Sequence, residues 1–176
     1  MNTRFCPLLV VVLFTMGSHP PAKAQEMNDK ITSIFLYNFA KQVQWPPQAA
    51  SGNLVIGVLG NPPVLNELKA SAGQVKINGR AVVIRQISGP AQYGELKTCH
   101  LLFVAKEESK SLKGVRDALG NAPVLVVGEG EGQKNNSINL FMDEEDGRAK
   151  FEVNNGALNK HGLRITAMLM SLAVGK

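Results

Sequence analysis

Cysteine is almost missing from this chain of 176 residues: Cys6 and Cys99 are the only two. Cys6 lies in a segment that reads as a leader, so the rest of the chain has Cys99 alone and can form no intrachain disulfide. Histidine is nearly as scarce, with three residues, and no HxH, HExxH or CxxC spacing occurs. That leaves no metal motif and no metal is expected. The frames that present a nucleophile, GxSxG and SxxK, are absent as well. Cys99 and His100 are neighbours on an apolar run read as a strand, where adjacent side chains point to opposite faces, so they cannot pair. Neither GxGxxG nor GxxxxGK[ST] is present, and Pro62 and Pro63 remove two backbone donors from the one strand–glycine–helix loop that resembles a phosphate cradle. The sequence therefore predicts no enzyme and no cofactor.

Charge of one sign is not concentrated anywhere. Nineteen Lys and Arg against fourteen Asp and Glu give a net charge of +5. Removing a leader that carries Arg4 and Lys23 lowers it to about +3. The cations are scattered among acids and form no basic stripe, which argues against nucleic-acid binding. Long apolar runs are also lacking, apart from Leu8 to Met16 near the start. That run is too short to span a bilayer, which needs about 20 residues. With Arg4 before it and Ala22-Lys23-Ala24 after it, it reads as a signal peptide over residues 1–24, an uncleaved anchor being the alternative. Cys6 precedes the run, so no lipid attachment is indicated. The expected product is a single periplasmic domain over residues 25–176.

What is present is an alternation of helical and buried-strand patterns. Asn28 or Asp29 can cap a helix to about Val43, with Ile31, Phe35, Leu36, Phe39 and Val43 on its apolar face and Lys30, Ser33, Tyr37 and Lys41 opposite. Trp45-Pro46-Pro47 ends it. Residues 54–59, 99–105 and 124–127 are continuous apolar runs, the pattern of strands covered on both faces. Helices are expected over 64–72 and 109–119, a strand over 81–87, and a hairpin joining 137–142 to 148–154. The fold class is α/β: one layered domain with a mostly parallel sheet flanked by helices and a C-terminal antiparallel hairpin.

The densest set of distinctive side chains is the stretch from Gly147 to Ala173. Asn154 or Asn155 can cap a short helix to His161, and Gly162 suits a left-handed stop. Leu163 to Ile165 are expected to be extended and Thr166 to cap a terminal helix, the alternative being one uninterrupted helix from Asn155. Met168 and Met170 are expected to fill core. The residues singled out for binding are Trp45, Phe151, Glu152, Asn154, His161 and Arg164. For Trp45 a plug over the core is the better default, and Phe151 shares an apolar face with Ala149 and Val153. Cys99 is expected to be a buried small hydrophobe, with an intermolecular bridge or a redox-sensitive thiol as the alternatives.

In order along the chain, FLYNFAKQVQWP, LVIGVLGNPP, NGRAVVIRQI, CHLLFVA, INLFMDEEDGRAKFEVN and HGLRITAMLMSLA resemble the YfiR family of exported bacterial proteins. The resemblance implies a periplasmic, commonly dimeric α/β domain without catalysis. It implies as partner the periplasmic part of an inner-membrane diguanylate cyclase or sensor kinase, held inactive so that cyclic-di-GMP and biofilm formation fall. An outer-membrane lipoprotein that sequesters the repressor is a further implied partner. The family's intrachain disulfides have no counterpart here, since Cys99 has no second cysteine. A periplasmic sensor that binds a small molecule, with His161 and Arg164 taking an anion, is the alternative function.

Overall fold

The computed structural model describes residues 22–175. In chain order the elements are α1 (Ala22–Gln42), β1 (Val43–Gln44), β2 (Leu54–Leu59), α2 (Val64–Ala72), β3 (Lys76–Ile77), β4 (Arg80–Ile87) and β5 (Leu101–Val104). There follow α3 (Leu112–Leu119), β6 (Leu125–Glu129), β7 (Ile138–Met142), β8 (Ala149–Val153), α4 (Asn155–Lys160), β9 (Arg164–Ile165) and α5 (Ala167–Leu172). Turns of 3-10 helix occupy Pro47–Ala49, Pro90–Thr98 and Lys106–Ser111.

The continuous apolar runs form the middle of a seven-stranded sheet of order β3-β4-β2-β5-β6-β7-β8. Strands β4, β2, β5, β6 and β7 are parallel, and β3 and β8 are antiparallel at the two edges. Counted by chain order the parallel strands run 2-1-3-4-5, a doubly wound arrangement that reverses between β2 and β5. Burial on both faces explains the missing alternation: in β5, Leu101 and Phe103 pack under α1 and α2, while Leu102 and Val104 pack under α3. The α/β class, the mostly parallel sheet and the antiparallel C-terminal hairpin are as the sequence pattern predicts. The turn between β3 and β4 is Asn78-Gly79 with φ of +51° and +80°, the two left-handed residues of a tight hairpin.

Two expectations about α1 need correction. The helix starts at Ala22, so Asn28 and Asp29 lie within it and do not cap it. Residues of good helical propensity precede them (Ala24, Gln25, Glu26 and Met27), and a capping side chain has no free N–H to bond where the helix is already under way. Ser33 and Tyr37 are not on a solvated face: Ser33 is buried, and the Tyr37 hydroxyl bonds the Leu68 carbonyl and Ser71 of α2. The leader expected over residues 1–24 falls, but for its last three positions, outside the described residues. Among the described residues no helix is long and apolar enough to cross a membrane.

Apart from the sheet, β1 and β9 pair antiparallel as a two-stranded ribbon, Val43 opposite Ile165 and Gln44 opposite Arg164. The Thr166 N–H extends it by donating to the Gln42 carbonyl at 3.1 Å. Beyond α5 the chain returns to the sheet, where Val174 N–H donates to Phe151 O at 2.9 Å on the outer edge of β8.

Candidate functional site

At a reversal of strand order the crevice above the strand ends is the usual place for a ligand. Here it is obstructed. Gly60 ends β2 with φ +73°, and a Cβ there would lie 2.4 Å from the Glu108 carboxylate, so that side chain already sits against the loop. Pro62 and Pro63 line the adjoining cavity of about 220 Å³ and offer it no N–H, and Asp29, Glu107 and Glu129 make its rim acidic. The residues singled out in the sequence lie elsewhere, in four separate places.

Trp45 holds a loop. Its indole N–H donates to the His100 carbonyl at 3.3 Å, and its ring meets the imidazole edge to face at 5.9 Å. The Val55 N–H donates to His100 Nδ1 at 3.1 Å, so that nitrogen carries no proton. Nε2 lies 3.0 Å from Ala49 O and 2.7 Å from the Arg80 guanidinium. The Arg80 guanidinium beside it donates to the carbonyls of Gly52, Ser51 and Asn53. Burial, and then the Arg80 charge, hold the His100 pKa below the ordinary imidazole value. This is a clasp on residues 49–53, with Trp45 as its lid.

Cys99 faces the other side of the sheet. It is 3% exposed, and a Cβ on Gly57 of β2 would come within 2.8 Å of its sulfur, so the glycine makes room for the thiol. Burial pushes the Cys99 pKa up to about 11, and a thiol held protonated is a poor nucleophile. Cys99, His100 and His161 thus occupy three unrelated environments. In the protein beginning at Gln25, Cys99 is expected to resist alkylation by iodoacetamide at pH 8 and to react fully in 6 M guanidinium. Labelling of the native protein at a rate near that of free cysteine, followed by mass spectrometry, would contradict this.

Phe151, Glu152 and Asn154 come from the edge strand β8 and the turn into α4. The Phe151 ring is buried against Phe39 and Phe35, centroids 5.1 and 6.1 Å away, and belongs to the core. Glu152 points the other way. Its Oε2 accepts from Asn139 Nδ2 and from the Gly132 N–H, both at 2.9 Å. Asn154 caps α4 by accepting from the Ala157 N–H at 3.0 Å, and its amide donates to Lys134 O at 2.6 Å. Both side chains therefore fasten the glycine-rich loop of residues 130–136 to the hairpin. The loop's composition is that of a loose connection, and only the cross-strand partners reveal that it is pinned.

His161 follows the last turn of α4 and is 8% exposed. Gly162, at φ +64°, reverses the chain behind it, which makes two helices of the segment and excludes the single uninterrupted one. His161 Nδ1 lies 2.7 Å from Ala122 O and donates to it, leaving Nε2 on the side of a cavity of about 310 Å³ that Asn154 also lines. Of the six binding candidates, these two are the pair that the fold brings together at one cavity.

Arg164 is exposed on the ribbon, opposite Gln44. Directly after it the Thr166 hydroxyl caps α5, accepting from Leu169 N–H at 3.2 Å and donating to Gln42 Oε1 at 2.8 Å. α5 has six residues and one inward row, Leu169 continued by Ala173. Met168 and Leu172, one turn apart, are consequently left outside at 65% and 66% exposure. Met168 therefore does not fill core, contrary to the expectation from sequence; Met170 is partly buried. The pattern of apolar residues in α5 is nearly continuous, so the sequence alone does not say which side is covered.

A family model described as YfiR/HmsC-like matches residues 29–174. No curated protein matches the chain.

Proposed function

The chain belongs to the YfiR/HmsC-like family, and from that premise we propose that it is an exported regulatory protein that binds the periplasmic part of an inner-membrane diguanylate cyclase and holds it inactive. The observation that carries the reading to a surface is the outward Met168–Leu172 pair on α5, adjoining Arg164 on the ribbon. Large apolar side chains set in a polar surround suit a protein partner, and methionine adapts to the shape it meets. The pair is held firmly, since Leu169 and Ala173 anchor the helix and Gln42 ties its start to α1, its amide 3.9 Å from Met168 Sδ. Repression requires only that this surface bind the inactive conformation of the receptor more tightly than the active one. In this arrangement Arg164 supplies a charged contact. Trp45, Phe151, Glu152 and Asn154 act by keeping the framework rigid. Homodimerisation and sequestration by an outer-membrane lipoprotein belong to the same proposal.

Deleting the gene should raise cyclic-di-GMP and surface attachment, and restoring the wild-type chain should reverse both. The double variant Met168→Glu/Leu172→Glu should fail to restore repression. Its unfolding free energy should change by no more than about 1 kcal/mol, since exposed substitutions rarely exceed about 0.5 kcal/mol each. Full repression by the folded variant removes α5 from the interface. Unchanged cyclic-di-GMP on deletion, with no membrane protein recovered by cross-linking, removes the proposal itself.

A further inference from the structure

The cavity beside His161 is lined by cations without an acid, unlike two other cavities of the described residues, which carry carboxylates. Arg116 reaches it from α3, Lys134 from the loop before β7, and Lys160 from the last turn of α4. No carboxylate lines it. Among the described residues none of these three cations takes part in an ion pair, although Lys113 and Asp117, the neighbours of Arg116 on α3, pair with each other. Like charges gathered without an acid repel one another, and an anion between them removes that cost.

One further feature points to a ligand rather than to a merely basic surface. His161 is only 8% exposed and lines the cavity; its Nδ1 is satisfied by Ala122 O at 2.7 Å, and its Nε2 has no protein partner among the described residues and is open to a ligand. The backbone at Lys134 is held in place, since its carbonyl accepts the Asn154 amide at 2.6 Å while Asn154 caps α4. The arrangement was hidden in the sequence because its cations come from three separate segments.

We propose that this cavity binds a phosphate dianion, free or as the head of a small polar monoester. Arg116 offers the planar fork that matches a tetrahedral oxyanion, and the lysines add charge. At about 310 Å³ the space is at the lower end of ligand cavities. Its walls carry no aromatic ring apart from the His161 imidazole and no large apolar side chain, so a hydrophilic ligand body is favoured. Such a site depends neither on the surface of α5 nor on the identity of any protein partner.

Titration calorimetry on the protein beginning at Gln25, at constant ionic strength set with sodium chloride, tests it. Inorganic phosphate and glycerol 3-phosphate are the two probes, and succinate is the dicarboxylate control. Saturable binding of either phosphate probe, at least tenfold tighter than succinate, is the expected result, and the ratio between the two probes identifies the free ion or the monoester as the better ligand. Arg116→Ala should weaken that binding at least tenfold and Lys160→Ala severalfold, whereas Lys113→Ala should leave it unchanged. Arg116→Lys should recover part of the loss, which a purely structural role for Arg116 would not produce. No saturable heat with either probe up to 10 mM overturns the proposal. So does equal binding of succinate, or an equal loss in Lys113→Ala.

Discussion

Replacing Phe39 with alanine is expected to lower the unfolding free energy by about 4 kcal/mol, within the range found when a buried phenylalanine is truncated. Phe39 is 0% exposed and stands where the first helix meets the edge strand β8. Its ring packs on Phe35 of its own helix at 5.7 Å and on Phe151 of the edge strand at 5.1 Å, both at tilted or edge-on angles that aromatic pairs prefer. Truncation leaves a cavity that the neighbouring rings cannot close, because Phe151 is fixed by the ladder between β7 and β8. Urea unfolding followed by circular dichroism should show a lower midpoint with an unchanged slope, and the melting temperature should fall by roughly 10 °C. A loss below about 1 kcal/mol would mean that α1 does not depend on this contact.

The second large effect is expected at a residue with no side chain. Gly128 lies in β6, between Val104 of β5 and Asn139 of β7. A Cβ there would stand 1.9 Å from the Asn136 amide nitrogen and 2.8 Å from its Cγ. Asn136 cannot swing aside cheaply: it is buried, and its amide donates to Asn139 Oδ1 at 3.0 Å, in a chain that continues to Glu152. Gly128→Ala must therefore either distort the strand or break that buried network, for a loss of about 3 kcal/mol. Gly73→Ala is the control, with an ordinary φ and nothing within 4 Å of the added carbon. The contact can be isolated by a double-mutant cycle with Asn136→Ala, which should recover at least about 1 kcal/mol. Additive effects of the two substitutions would show that the clash is relieved elsewhere.

These two positions also show what was and was not legible in the sequence. The runs at Leu54–Leu59, Leu101–Val104 and Leu125–Glu129 announce a covered sheet because nothing polar interrupts them until the final Glu129. Asn154, Gly162 and Thr166 announce the ends of α4 and α5, since capping and left-handed stops are local chemistry that acts within a few residues. Residues 163–165 read as extended, but the pairing of β9 with β1 was not legible, because two residues per strand carry no periodicity. The burial of His161 was not legible either: its partner, the Ala122 carbonyl, is distant in the chain and backbone atoms leave no trace in composition. The same holds for the exposure of Met168 and for the meeting of Arg116, Lys134 and Lys160. Each is decided by which elements end up side by side, and the strand order sets that.

The ribbon has a bearing on when the molecule can fold. Gln42 and Thr166 are 124 positions apart, and their side-chain contact joins the end of the first helix to the start of the last. Such a contact is among the slowest to form, since a long loop must close before it contributes any stability. A chain emerging N-terminus first has no partner for β1 until nearly all of it has appeared, and the edge of β8 waits still longer for Val174. Until then the long first helix is held only through contacts it can make with α2 and the early strands. Under the proposed export, this topology would delay closure until translocation is nearly complete, and so keep the chain threadable as it crosses the membrane.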